Sequence, residues 1–339
     1  MTTTPAATAI VSRIGGALTV DSLVDVNCPP PASPSGHDIL VEVEAISVNP
    51  VDVKVRASAH GSSADRILGW DAAGTVVAVG PETTLFAPGD EVYYAGSIER
   101  PGSYSRFQAV DERIVGRKPR TLPFAEAAAL PLTAITAWEA LFHKLKLSED
   151  SAGTILVLGA SGGVGSILIQ LVKTLTQLRV IATASHDRSR TWVRDLGADV
   201  VVDHTAPHLD RQILAHAPGG VDYVFSAHSR DQIPLLITVV RPFGEIVAID
   251  DERNLNFYAL KDRSISWHWE SMFTRSSHHW DLEGQHRLLN QIADLIDAGT
   301  LRTTLTTLLT PLDAERVRAA HRLVETGRTV GKIVVARSH

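Results

Sequence analysis

The residues best placed to do chemistry lie in the stretch TILVLGASGGVGSILIQLVKTL, residues 154–175. Gly159, Gly162 and Gly165 fall three apart, with the small residues Ala160, Ser161, Gly163 and Val164 between them. A continuous apolar run precedes the glycines and an apolar stretch of helical length follows. A strand that turns through small residues into a helix lets backbone approach a pyrophosphate. The helix N-terminus then offers unpaired N–H groups and the positive end of its dipole. A tight turn with no ligand has the same spacing, so the pattern downstream has to decide between the two.

The next apolar run, RVIATA (179–184), leads into SHDRSR (185–190). A site for an unphosphorylated ribose places an acid about 20 residues after the glycines. Ser185 stands where that acid is expected, and His186, Arg188 and Arg190 follow. A serine beside arginines suits a ribose 2′-phosphate, so NADPH is the expected cofactor. Asp187 competes as a ribose ligand, and Ser185 or Asp187 as the cap of a helix.

These residues need elements to hold them. From Gly153 onward short apolar runs alternate with helical stretches: VVVD (200–203), VDYVFSA (221–227) and GEIVAID (244–250) continue the series. Continuous apolar strands alternating with helices predict a parallel sheet covered on both faces, which favours the dinucleotide. Ser226 and His228 then close the fourth strand, and Ile249 and Asp250 the fifth. That is the carboxyl edge, where dinucleotides lie. Residues 9–125 are different. ILVEVEAISV (39–48), GTVVAVG (74–80) and DEVYYAG (90–96) are β-branched or aromatic runs separated by Gly, Pro and Asp, the pattern of a compact barrel-like unit. LPFAEAAALPLTAITAWEALFHKL, from Leu122, reads as two helices divided at Pro131. HRLLNQIADLIDAG (286–299) and DAERVRAAHRLVETG (313–327) read as helices, and GKIVVA (331–336) as a closing strand.

The chain has 339 residues, 44% hydrophobic and 21% charged, enough for two packed domains. A net charge of −6 without long runs of one sign argues against a nucleic-acid groove or a membrane-binding face. The single cysteine, Cys28, rules out an internal disulfide framework and a multi-cysteine zinc site. The opening MTTTPAAT is small and polar and is expected to fray. With no secretory or membrane-spanning pattern, a soluble, cytoplasmic protein is expected.

The motifs together resemble the medium-chain dehydrogenase/reductase superfamily, and within it the zinc-independent, quinone-oxidoreductase-like branch often labelled "zinc-type alcohol dehydrogenase-like". The resemblance rests on SVNPVDVKVR (47–56), LGWDAAGTVVAVG (68–80), FAPGDEVYY (86–94), LPLTAITAWEAL (130–141), GASGGVG (159–165), LGADVVVDH (196–204) and GKIVV (331–335). SISWHWESMFTR (264–275) narrows it to the branch. It implies an α/β protein in which a GroES-like β-barrel domain, 1–125 and 265–339, is interrupted by a Rossmann domain with a doubly wound parallel sheet, 126–264. It also implies a nicotinamide in the cleft between the domains and a homodimer built by Rossmann sheet edges.

The resemblance bears on metal as well. Zinc-dependent members carry cysteine where this chain has Asn49, and Gly-His-Glu where it has Gly69-Trp70-Asp71. A catalytic zinc takes about three Cys, His or carboxylate ligands, and Asp71 alone cannot hold one. The pairs His278-His279 and His204 with His208 lack accompanying acids or cysteines and read as surface residues. Without metal, polarisation of a substrate falls to hydrogen bonds from Asn49, Asp52, Trp70, and Tyr93 or Tyr94; either tyrosine could donate a proton to a developing enolate, and alternation lets only one of them face the cleft. Asn49-Pro50 also reads as a plain turn and Trp70 as core filler. By resemblance Asn49 lies near the nicotinamide, where its amide meets a ribose hydroxyl or the substrate oxygen, Thr136 matches the threonine that approaches the nicotinamide ribose, with Thr133 one turn earlier, and Lys332 is near the cofactor; both threonines also read as helix N-terminal residues, and the backbone at Ile249 and Asp250 is expected at the carboxamide. The function expected is NADPH-dependent, metal-independent reduction of a quinone or α,β-unsaturated carbonyl. A zinc alcohol dehydrogenase with atypical ligands and a non-catalytic dinucleotide sensor are the alternatives.

Overall fold

The computed structural model describes residues 7–13, 16–29, 31–58 and 65–338. Most of the MTTTPAAT start and positions 59–64 of the loop at 56–67 lie outside them. The chain divides into two compact units: Met1–Leu132 with Phe273–His339, and Thr133–Met272. The sequence placed these boundaries earlier, at 125 and 264. The later second boundary has a physical cause. The aromatic segment supplies a strand, Ser266–Trp269, that pairs in parallel with Val240–Ala248 and so belongs to the second unit.

In the first unit the strand Asp38–Val48 is the spine of a seven-stranded sheet. One edge pairs antiparallel with Ala72–Val79 along its length. The other edge is shared, Phe107–Asp111 taking the first half and Lys332–Ala336 the second. Burial follows the pattern of the sequence: Ile39, Val41, Val43, Ala45 and Ile46 are fully enclosed. The register fixes the chemistry at one end. Val48 sits opposite Ile333, and Ile46 opposite Ala72. Asn49, Lys332 and Asp71, each next to one of these ladder residues, therefore meet at the same end of the sheet.

In the second unit six parallel strands run in the order Val200–Val202, Gln177–Thr183, Ala152–Leu158, Val221–Ser226, Val240–Ala248, Ser266–Trp269. Their apolar runs are buried because helices cover both faces, as parallel sheets require. Leu156, Ile181, Val224 and Ile246 form the middle of that core with Leu236 and Val239 of the helix Ile233–Val239. The glycine turn joins the central strand Ala152–Leu158 to the helix Gly163–Leu175. Pro131 does open a separate helix, Pro131–Trp138, after a short one at Phe124–Ala127. No described helix is long and apolar enough to cross a membrane.

Candidate functional site

The second unit builds its site from backbone. Gly159 adopts φ +77°, a conformation that favours glycine. A Cβ on Gly165 would lie 2.5 Å from the Ala160 carbonyl oxygen, so the helix can start this close to the strand only without a side chain there. Gly162 caps the helix, and the N–H groups of its first turn have no partner inside the helix. The turn is pinned from the neighbouring strand: the Thr183 hydroxyl accepts the Gly159 N–H at 3.2 Å and donates to the Val157 carbonyl at 3.2 Å. Sequence reading passed over Thr183, although a hydroxyl at a strand's carboxyl end was the available signal. The cradle fits a pyrophosphate in shape and in donors.

Around it the expected residues divide. Ser185 is half-buried at the end of its strand, and Arg188 is exposed on the first turn of the helix Asp187–Asp195. Arg190 is already engaged: its guanidinium pairs with Asp203 and reaches the Ser185 carbonyl at 3.4 Å. His186 is exposed and caps that helix with Ser189. Ser226 is buried, its hydroxyl 3.1 Å from that of Ser229, while His228 is exposed. The Ile249 N–H donates to the Ser226 carbonyl. The Asp250 carboxylate accepts the N–H and hydroxyl of Ser229, both at 2.7 Å, so Asp250 braces the loop after the fourth strand. Thr133 and Thr136 are buried on the helix Pro131–Trp138.

The first unit builds a buried polar cluster from side chains. Asn49 donates from Nδ2 to Asp71 Oδ2 at 2.8 Å and to the Ser47 carbonyl at 3.3 Å. Its Oδ1 accepts from the Lys332 ammonium. Lys332 also reaches Asp71 Oδ2 at 3.1 Å and the Val48 carbonyl at 3.4 Å. Asp71 Oδ1 takes the Leu132 N–H at 2.8 Å. Asp71 and Lys332 thus form an ion pair with both side chains almost wholly enclosed. Burial raises the Asp71 carboxyl above its ordinary range, opposed by Lys332, Asn49 and the Leu132 N–H. Asp52 completes the cluster. Its Oδ2 accepts the Asn49 backbone N–H at 2.7 Å and the Tyr104 hydroxyl at 3.2 Å. Tyr104 and His321 were not expected here; they come from distant stretches with no local motif to mark them.

Two of the expected catalytic residues, Trp70 and Tyr93, bond outside the Asn49–Asp71–Lys332 cluster. Trp70 is fully buried in the barrel unit, edge-on to Phe273, with its indole N–H donated to the Ser97 carbonyl at 2.9 Å. A Cβ on the preceding Gly69, φ +103°, would lie 2.3 Å from the Tyr104 ring, so only glycine fits there. Tyr93 is also fully buried and spends its hydroxyl on the Leu289 carbonyl at 2.6 Å. Burial raises its pKa far beyond neutrality, which weakens it further as a proton donor. Tyr94, the other choice, is enclosed too and its hydroxyl lacks a partner.

The sequence-family model "Alcohol dehydrogenase GroES-like domain" matches residues 35–120, and "Zinc-binding dehydrogenase" matches 196–335. A "Zinc-type alcohol dehydrogenase-like protein" of Staphylococcus aureus strain MSSA476 is 40% identical over 312 residues, 89% of this chain and 92% of its own. The chain belongs to the medium-chain dehydrogenase/reductase superfamily. Two further proteins resemble it. A crystal structure from Rhizobium etli CFN 42, provisionally assigned as a zinc-dependent alcohol dehydrogenase, superposes with a TM-score of 0.93 at 46% identity over 99% of both chains. The "2-methylene-furan-3-one reductase" of Solanum lycopersicum is 29% identical over 306 residues, 88% of this chain and 71% of its own. Membership makes this an oxidoreductase of nicotinamide-cofactor type with small-molecule substrates.

The same family raises the question of zinc, and the donors answer poorly. Of the three positions at issue, Trp70 offers only an indole N–H that is already given away. Asn49 offers an amide oxygen that faces Lys332. Both Asp71 oxygens are occupied, and the nearest cation is an ammonium. Among the described residues no group of three or more His, Cys, Asp or Glu side chains converges. The residues here do not fit the metal.

Proposed function

We propose that the protein is an NADPH-dependent reductase of α,β-unsaturated carbonyls or quinones that works without a metal. The observation that carries the metal-free reading is the Asn49–Asp71–Lys332 cluster, whose oxygens are satisfied by protein donors. Conjugation in an enone or quinone spreads the negative charge that develops on reduction, so such an acceptor tolerates the missing Lewis acid better than a simple aldehyde does. The tomato relative named for reduction of an exocyclic enone lies in the same direction.

When bound, the dinucleotide supplies the hydride. The glycine turn at 159–165 and the following helix would hold its pyrophosphate. Ser185 and Arg188 would meet the 2′-phosphate, with Arg190 contributing only if it leaves Asp203. Ser226, His228, Ile249 and Asp250 line the carboxyl edge of the same sheet. Thr136, with Thr133 one turn earlier, keeps the ribose role that the resemblance implies, Lys332 a place near the cofactor, and Asn49, held by Asp71 and Lys332, is the group we assign to ribose or substrate oxygen. Tyr93, whose hydroxyl is given to the Leu289 carbonyl, would have to leave that bond to act as the proton donor.

The sheet edge supports a homodimer. The strand Ser266–Trp269 pairs on one side only among the described residues, and Trp269, Phe257 and Tyr258 are exposed beside it. A cytoplasmic location accords with this chemistry.

The test is consumption of NADPH and of NADH against a panel of enones, quinones and aldehydes, with metal analysis of the purified chain. Enone or quinone turnover with NADPH preferred, persisting after chelation, supports the proposal. One tightly held zinc per chain that is needed for turnover replaces it with the alcohol dehydrogenase reading. Cofactor binding with no turnover on any acceptor replaces it with the sensor reading. Arg188→Ala should cost NADPH about tenfold in affinity and leave NADH unchanged.

A further inference from the structure

We propose that Asp52 is the positioning residue of this site: its carboxyl group holds Asn49 through the Asn49 backbone N–H, and its proton state sets how firmly Asn49 is held against Asp71 and Lys332. The inference rests on the assignment of Asn49 made above.

The geometry is that of a relay. Asp52 Oδ2 receives both the Asn49 N–H, 2.7 Å, and the Tyr104 hydroxyl, 3.2 Å, while Oδ1 is buried with no hydrogen-bond partner among the described residues. The Tyr104 oxygen is also 3.1 Å from His321 Nε2. Because Tyr104 gives its proton to Asp52, it must accept from His321, which assigns the proton of the imidazole to Nε2. Nδ1 is then the bare nitrogen, in keeping with its having no partner. A carboxylate at the third position of the helix Pro50–Ser58 is an ordinary cap for the residue before it. Capping accounts for the bond to Asn49. It accounts neither for the orphaned Oδ1 nor for the connection to a buried histidine.

The charges around Asp52 show why its proton matters. Asp71 and Lys332 pair one to one. On the helix side, Arg56 pairs with Glu325 and donates to the Gly16 carbonyl at 2.8 Å. Tyr104 and His321 are the remaining groups facing it. An ionised Asp52 is therefore the odd charge in a fully enclosed cluster. Burial, with a smaller push from Asp71, drives its pKa up to about 7 against the Asn49 N–H, Lys332 and Tyr104. His321 goes the other way, to about 3, through burial and the nearby Arg56. Asp52, not His321, changes charge near neutrality. A hydrogen bond to a charged carboxylate is about twice as strong as one to a neutral acid. Asn49 is thus held more firmly once Asp52 ionises.

The experiment reads binding of NADPH, or of NADH if that is bound better, to the full chain by cofactor fluorescence between about pH 5.5 and 8.5. Affinity should rise about threefold through an inflection near 7 in the native chain. Asp52→Asn keeps the shape of the neutral acid and should be flat at the low-pH affinity. Tyr104→Phe removes a donor that favours the charged form, so its inflection should move to higher pH. A flat native profile, an inflection that survives Asp52→Asn, or one unmoved by Tyr104→Phe overturns the proposal. If Asp52→Asn does not fold, Tyr104→Phe carries the test. Because no acceptor is present, failure to find a reducible substrate leaves these outcomes readable.

Discussion

The glycine turn and the buried cluster solve opposite problems. The turn must leave its polar groups free for a ligand, so it is made of small residues contiguous in sequence, and the strand and helix on either side do the positioning. The cluster must pair its buried charges, because a buried unpaired charge costs several kcal/mol. It is therefore assembled from Asn49, Asp71 and Lys332, residues 22 and 283 positions apart along the chain, and only sheet register brings them together. A site built locally tolerates the loss of a distant side chain. A site built by register does not.

The sharpest way to break the comparison is Lys332→Met. It leaves Asp71 enclosed beside Asn49 without its cation. The expected loss of stability is about 3–5 kcal/mol in urea unfolding. Adding Asp71→Asn removes the stranded charge and should recover most of it. A single variant as stable as the native chain would mean that the pair is not buried in solution.

Gly165→Ala asks the same of the turn. Its new Cβ meets backbone, the Ala160 carbonyl oxygen at 2.5 Å, so the helix Gly163–Leu175 has to shift. We expect a stability loss of about 2–3 kcal/mol and at least tenfold weaker cofactor binding. The contrast with Lys332→Met lies in where the damage falls, since here binding should suffer more than unfolding.

Trp70→Phe separates core from site. The phenyl ring keeps most of the packing against Phe273 but removes one of two donors to the Ser97 carbonyl, which retains the Arg100 N–H at 3.2 Å. A loss of about 1–2 kcal/mol in stability with kcat per folded molecule unchanged is expected. A fall in kcat at full stability would restore Trp70 to the site.

The same contrast explains what was legible in the sequence. The turn, the parallel sheet and the antiparallel spine could be read because each depends on patterns a few residues long. The glycine spacing, the apolar runs and the position of Pro131 carry those patterns locally. The partners of Trp70 and Tyr93 could not be read, because the local pattern around an aromatic is the same whatever it packs against, and Phe273 and Leu289 lie some 200 residues away. Tyr104 and His321 carry no pattern at all. Their roles exist only once the strand Asp38–Val48 has been paired on both edges.

Glu270 offers the finest test, because it is a buried carboxyl in the second unit that, like Asp52 in the first, has an oxygen without a partner among the described residues. Its Oε1 has no hydrogen-bond partner. Burial, reinforced by Glu139 and only partly opposed by Lys144, raises its pKa well above the ordinary 4.5. The folded state therefore keeps a proton that the unfolded state has lost once pH exceeds the ordinary value. Stability from this group is whole below that value and is lost as pH rises toward the folded pKa. Glu270→Gln carries the neutral form at every pH. It should match the native chain under mildly acidic conditions and become progressively more stable than it as the solution turns alkaline, by about 1 kcal/mol or more per pH unit inside the window. Thermal midpoints of the two chains across pH measure this. Parallel curves would mean that Glu270 is ionised in the fold and that a partner for Oε1 forms in solution, in which case the second unit compensates its buried charges as the first does.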